Sequence, residues 1–196
     1  MANLLEQLIS ALRCLPGVGR KSAQRMAFNL LAEKRQAGKL LVDILQKALD
    51  TIDYCQACRS FTETPLCTIC SNQRRDHQTL CIVETPADLY AIEATGFNGV
   101  YFVLHGKLSP IDGIGPQALG IDSLKQRLEK SAPTEIILAT NPTVEGQATA
   151  HYLLQIAKHY RIECTRIAHG VPLGGELEYI DGGTLTHAFA GRERLS

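Results

Sequence analysis

The sequence has no tryptophan, only two methionines, an aromatic content of 6% and a formal net charge of zero. Neutrality excludes a global field that would draw the whole chain to a polyanion. No apolar run approaches the roughly 20 residues that span a bilayer. The first residues, MANLLEQLISALRCLPGVGR, lack the basic segment and small-residue cleavage site of a secretory leader, which points to a cytoplasmic protein with no membrane partner. The cysteine count is seven, an odd number, and speaks against a disulfide framework. Also missing is any G-x-x-x-x-G-K-[ST] loop, so nothing would cradle a nucleotide's phosphates and ATP hydrolysis is not expected.

With 45% hydrophobic and 20% charged residues, the chain is composed as a globular protein able to bury a core. Three patterns follow one another. Residues 3–53 read as helical, as LLEQLISALRCL, RKSAQRMAFNLLAEKR and KLLVDILQKALDTI, with Leu4, Leu5, Leu8, Leu12 and Leu15 at helical spacing. Residues 54–75 carry four cysteines among polar residues. From Gln78 on, short β-rich runs (79–84, 99–106, 135–141 and 162–170) alternate with helical stretches. That alternation predicts a parallel sheet covered on both faces, with sites beyond the C-terminal ends of its strands. Glu84, His105, Asn141 and His169 stand at such ends. The two histidines are expected to be structural, because no nucleophile is paired with either. Cys14, Cys81 and Cys164 sit in apolar surroundings and are expected to be small buried hydrophobes.

Charge is unevenly spread. Between Gln7 and Val42 lie seven basic residues, Arg13, Arg20, Lys21, Arg25, Lys34, Arg35 and Lys39, against the single acid Glu33. Within this segment Gly17-Val18-Gly19 separates two helical patterns, where glycine permits a tight turn. The second helix would present its free N–H groups beside Arg20, Lys21 and Arg25, an arrangement that favours a phosphate. LPGVGRKSAQRMAF resembles the helix-hairpin-helix of DNA-repair proteins, which grips the nucleic-acid backbone without reading bases. The assigned DNA contacts are Gly17, Gly19, Arg20, Lys21 and Arg25.

Cys55-Gln-Ala-Cys58, an eight-residue spacer and Cys67-Thr-Ile-Cys70 form two C-x-x-C knuckles. Two knuckles supply the four thiolates that close a tetrahedral Zn²⁺ site to water. One structural Zn²⁺ would fold about twenty residues that bury too little surface to fold alone. A redox dithiol and an iron–sulfur site are the other readings of the same spacing.

CIVETPADLYAI and ATNPTVEGQA resemble the two acidic elements of the Toprim domain shared by topoisomerases, primases and small nucleases. Glu84 stands at the position of the domain's glutamate, but the D-x-D of its catalytic members is replaced by Asn141 and Thr143, leaving Glu145-Gly146. Exchanging two carboxylates for an amide and a hydroxyl removes the scaffold of a two-metal clamp, with at most a weakly held Mg²⁺ at Glu84 and Glu145. Farther on, GVPLGGELEYIDGGTL loosely resembles a Walker B element, with Glu178 and Asp181 around a short apolar stretch.

In order along the chain, LPGVGRKSAQRMAF, the paired C-x-x-C, CIVETPADLYAIEATG, HGKLSPIDGIGP, ATNPTVEGQATA and RIAHGVPLGGELEYIDGGTL are similar to the RecR family of bacterial recombination mediators. The resemblance implies an α+β chain of several parts: a helix-hairpin-helix region (1–53), a four-cysteine zinc finger (54–76), a Toprim domain (77–172) and a C-terminal Walker B-like oligomerisation segment (173–196). It further implies a non-enzymatic DNA-binding homo-oligomer, a dimer or ring tetramer, that works with RecO and RecF to load RecA on gapped single-stranded DNA. On that resemblance Glu84, Asp88, Asn141 and Glu145 form the partner-binding Toprim surface, and charge reversal at Glu84 is expected to weaken partner binding more than DNA binding. A small Mg²⁺-dependent Toprim nuclease is the alternative.

Overall fold

The computed structural model describes residues 3–168 and 170–192, and divides into two compact units, Met1–Ile52 and Asp53–Ser196. His169, one of the two strand-end histidines, lies outside the described residues.

The first unit holds three helices: α1 (Leu4–Leu12), α2 (Arg20–Ala32) and α3 (Arg35–Thr51). Asn3 starts α1 by accepting the Glu6 amide at 2.9 Å, the ordinary role of an N-cap asparagine. Ile9 packs on Ala23 and Ala27, whose small side chains let α1 and α2 approach closely, and Leu5, Leu8, Leu12 and Val18 surround the contact. The turn between them needs one glycine for its backbone: Gly17 has φ +75°, a left-handed value that favours glycine. Gly19 is extended instead, so its missing side chain is not required by the turn. Cys14 falls just beyond α1 and is exposed, contrary to the expectation of burial. The helix ends before the apolar period can carry that position inward. α3 buries no residue, and Leu40, Leu41, Val42, Ile44, Leu45 and Leu49 lie exposed along it.

The second unit begins with a two-stranded antiparallel hairpin, β1 (Asp53–Tyr54) with β2 (Phe61–Thr62). Then follow β3 (Asp76–Val83), α4 (Pro86–Glu93), β4 (Gly99–Val103), α5 (Ile121–Ser131), β5 (Glu135–Ala139), α6 (Val144–His159), β6 (Glu163–Arg166), a short 3-10 turn at Leu177–Tyr179, and α7 (Gly182–Ala190). The four later strands form one parallel sheet in the order β4-β3-β5-β6. The chain leaves β3 toward one side and later returns to pair on the other. The order therefore reverses between β3 and β5, and in open α/β sheets ligands bind in the crevice beyond such a reversal.

Side chains of period two send alternate residues to opposite faces. One face carries Leu80, Ile82, Val100, Phe102, Ile136 and Leu138 against α5 and α6, through Leu124, Leu128, Leu153 and Ala157. The other carries Cys81, Val83, Tyr101 and Val103. The sheet is covered on both faces, as the alternation predicts, but α4 supplies only Leu89 as a buried residue to the second. The rest of that cover is the cysteine segment, with Cys55, Cys58 and Cys67 buried in the same cluster. The segment also guards the outer edge of β4, where the Val103 amide donates to Cys58 O at 2.8 Å. An exposed edge of unpaired backbone groups invites pairing with another chain, and this contact removes part of it.

Candidate metal centre and nucleic-acid interface

Four sulfur atoms, from Cys55, Cys58, Cys67 and Cys70, lie within 4.8 Å of one another, and Cys58 Sγ approaches Cys67 Sγ to 3.5 Å. Zn–S bonds of about 2.3 Å in a tetrahedron require sulfurs about 3.8 Å apart. The donor set therefore fits Zn²⁺ in both chemistry and spacing. Two amides point at the sulfurs, Ser60 N at 3.4 Å from Cys58 Sγ and Cys67 N at 3.3 Å from Cys55 Sγ. Such N–H donors stabilise thiolate over thiol. By themselves the clustered thiols oppose one another. Cys58 is pushed up to about 12 by its contact with Cys67, and Cys70 is raised by its contacts with Cys58 and Cys67. Cys67 is lowered because it accepts from both. A divalent cation resolves that conflict by favouring all four thiolates.

The strand-end constellation sits at the reversal between β3 and β5. Glu84 follows β3 and is 4% exposed. Its carboxylate accepts the Asn141 amide N–H at 2.9 Å and the Asn141 side-chain Nδ2 at 2.7 Å. Both oxygens are thus committed to the residue that stands in place of the first aspartate. Thr143 caps α6 by accepting the Gly146 amide at 3.1 Å. A side chain on Gly146 would meet the Asn141 carbonyl and approach Glu84 Oε1 to 2.9 Å, so the loop closes tightly over the carboxylate. Glu145 pairs with Lys107 at 3.3 Å. Its own backbone amide, and next Lys107, hold its carboxyl below the usual carboxylate range. These groups do not fit a two-metal clamp: one carboxylate is closed inward and the other faces a lysine.

Of the four residues assigned to a partner surface, Glu84 is therefore buried, while Asn141 is exposed and Asp88 and Glu145 are partly so. Asp88 also completes a capping box with Thr85 at the start of α4. Charge reversal at Glu84 would bury an unpaired ammonium and test folding rather than docking. Glu145 is the acid that can report on docking.

His105 is structural, as expected: its Nε2 lies 2.6 Å from Arg59 O, and its ring rests on Tyr54 at 4.6 Å and Phe61 at 5.8 Å. Arg59 was not legible as important in the sequence. Its guanidinium reaches the carbonyls of Leu104 and Leu119 and lies 5.6 Å from the Phe102 ring centroid. The Walker B resemblance does not extend to structure. The apolar stretch forms the 3-10 turn instead of a strand, and Asp181 caps α7 by accepting Thr184 N at 2.9 Å.

In the first unit, Gly17, Gly19, Arg20, Lys21 and Arg25 are all exposed. The N-cap of α2 is Gly19, which has no side chain to cap the first-turn amides. Its N-terminus therefore offers free N–H donors and the positive end of a helix dipole next to cations, the ready-made anion site of a helix start. Among the described residues none of Arg20, Lys21 and Arg25 is held in an ion pair.

A glycine-turned helical pair with a basic helix start, a four-thiolate finger and a Toprim-type parallel sheet define a zinc-finger protein of nucleic-acid metabolism. Comparisons with known proteins narrow the class. The chain matches the family models for the RecR helix-hairpin-helix over residues 5–49, the RecR four-cysteine zinc finger domain over 52–72, the Toprim domain over 78–168 and the RecR C-terminal region over 170–193. It is 56% identical to the recombination protein RecR of Xanthomonas oryzae pv. oryzae and to that of Xanthomonas campestris pv. campestris. Each match runs over 196 residues, the whole of both chains. The chain belongs to the RecR family. Its four-cysteine cluster is a structural zinc site, and no helix among the described residues is long and apolar enough to cross a membrane.

Proposed function

We propose that this chain is a non-enzymatic, cytoplasmic recombination mediator that binds DNA through the start of α2 and, with RecO and RecF, loads RecA on gapped single-stranded DNA. The carrying observation is the closed Glu84–Asn141 pair, which places a hydrogen-bonded brace where a Toprim enzyme holds Mg²⁺. One Zn²⁺ per chain folds the finger. Gly17, Gly19, Arg20, Lys21 and Arg25 grip the phosphate backbone without sequence preference. The space that a Cβ on Gly19 would occupy is open for 4 Å around, which leaves room for that backbone to approach. The chain acts as a homo-oligomer, dimer or ring tetramer. Support for self-association comes from α3, whose apolar residues have no cover within their own unit, and burying such a face is the usual reason for one. Asp88, Asn141 and Glu145 form the partner-facing Toprim surface, with Glu84 holding its loop in place.

Sedimentation with single-stranded DNA, alone and with RecO, across a salt series tests these roles together. Lys21→Ala should lower DNA binding and reduce the logarithmic salt slope by about one unit, the share of one phosphate contact. Glu145→Lys should leave DNA binding unchanged and weaken co-sedimentation with RecO. Salt-independent DNA binding would refute the α2 grip. Mg²⁺-dependent cleavage of the DNA, lost in Glu84→Ala, would establish the nuclease reading instead.

A further inference from the structure

The four-cysteine site is largely buried, with Cys55, Cys58 and Cys67 buried and Cys70 partly so, and four thiolates on one Zn²⁺ leave two net negative charges there. A buried charge without compensation is strongly destabilising. The two N–H···S contacts offset part of that charge and cannot cancel it. The charged groups around the cluster are therefore decisive. Arg75 lies within electrostatic reach of Cys67, but its guanidinium is already paired with Glu93. His77 and Lys130 are exposed on the rim of a cavity of about 330 Å³ that also borders Cys70, Gln126 and Arg127.

Arg127 is different. It projects from α5, on the other side of the sheet edge, and donates to Ala57 O at 2.8 Å and to the Tyr101 carbonyl. Ala57 belongs to the first C-x-x-C knuckle, and Tyr101 to β4. Burial works against the guanidinium's charge, while all four thiolates of the cluster act in its favour. Among the described residues no carboxylate pairs with it. A largely buried guanidinium and a buried dianionic metal centre each need what the other supplies.

We propose that Arg127 is the counter-cation of the four-cysteine zinc site, reaching round the edge of β4 to hold the first knuckle against the sheet. It touches no metal. It positions the ligands through Ala57 O and offsets their charge. The role rests on zinc filling the cluster, and its loss should be read in the metal rather than in DNA binding. Outer-shell partners of metal ligands typically change affinity about 10- to 100-fold when removed.

The test is zinc transfer from the purified full-length protein to a chromogenic chelator, for Arg127→Gln and Arg127→Lys, with thiols kept reduced. Gln keeps a donor and loses the charge, whereas Lys keeps the charge and loses the planar fork. Release about 10–100-fold faster in Arg127→Gln, with Arg127→Lys within a few-fold of the parent, is the expected result. Cobalt(II) substitution gives a second readout. The sulfur-to-cobalt charge-transfer band should move to lower energy in Arg127→Gln, as the thiolates become more electron-rich, and stay in place in Arg127→Lys. Equal release from Gln and Lys variants, or unaltered release from both, would overturn the counter-cation role and leave Arg127 a hydrogen-bonding strut. Parent protein purified without zinc would refute the zinc reading itself, a separate failure.

Discussion

Removing zinc, with a chelator under reducing conditions or by Cys67→Ser, is expected to unfold the finger and to destabilise the Toprim sheet along with it. Cys55, Cys58 and Cys67 are 0%, 0% and 7% exposed and share one cluster with Cys81, Val83, Leu89, Tyr101 and Val103. A finger that melts uncovers the part of that apolar face that α4 does not cover and frees the edge of β4 at Val103. Zinc contributes about 10–16 kcal/mol in isolated finger peptides near neutral pH. A domain's entire stability is about 5–15 kcal/mol, so the loss is comparable to the whole. Thermal unfolding followed by circular dichroism should show the sheet transition lowered by tens of degrees or abolished, with aggregation of the exposed face. A sheet that melts at the parent temperature without metal would mean that the finger only rests on it.

Asn141→Asp should be destabilised by about 3 kcal/mol at neutral pH, the scale of leaving a buried charge unpaired. The asparagine now donates to Glu84 Oε2 at 2.7 Å, and an aspartate would put a second carboxylate there. Two carboxylates this close cannot both ionise cheaply, so one folded-state pKa rises above its unfolded value near about 4. The folded state then binds more protons than the unfolded state above that pH, and stability falls as pH rises. The deficit should therefore be small near about pH 4 and grow toward neutrality. Millimolar Mg²⁺ should restore much of the variant's melting temperature and leave the parent's unchanged, because only the variant offers paired anionic oxygens. A melting temperature insensitive to both pH and Mg²⁺ would show that Glu84 and Asn141 do not brace the loop. Adding Thr143→Asp, which keeps a capping side chain on α6, should strengthen the response to Mg²⁺.

Local signals in the sequence carried much of this molecule. The C-x-x-C spacing located the metal ligands because a tight turn fixes two sulfurs without help from the rest of the chain. The strand–helix alternation gave the parallel sheet, and the missing aspartates told against a metal clamp. What stayed hidden depended on neighbours distant in sequence. Glu84 read as a surface acid, yet Asn141, 57 residues later, folds over it. Cys14 looked apolar by its neighbours and lies exposed, since its helix stops two residues earlier at Leu12. Arg127 and Arg59 resembled ordinary polar residues. Their importance comes from carbonyls that the sheet edge and the finger leave open, and no periodicity announces those.

The close pass of the α6 loop bears on how this kind of sequence is searched. Glycine at position 146 is demanded by the nearness of the Asn141 carbonyl and Glu84, a matter of clearance between two stretches of chain. That clearance is needed whether the crevice holds an ion or a hydrogen-bonded amide. A pattern search keyed to the E-G pair therefore retrieves a shape and is blind to chemistry. In this chain the chemistry is written two and four places before Glu145, where Thr143 and Asn141 bring a hydroxyl and an amide instead of carboxylates.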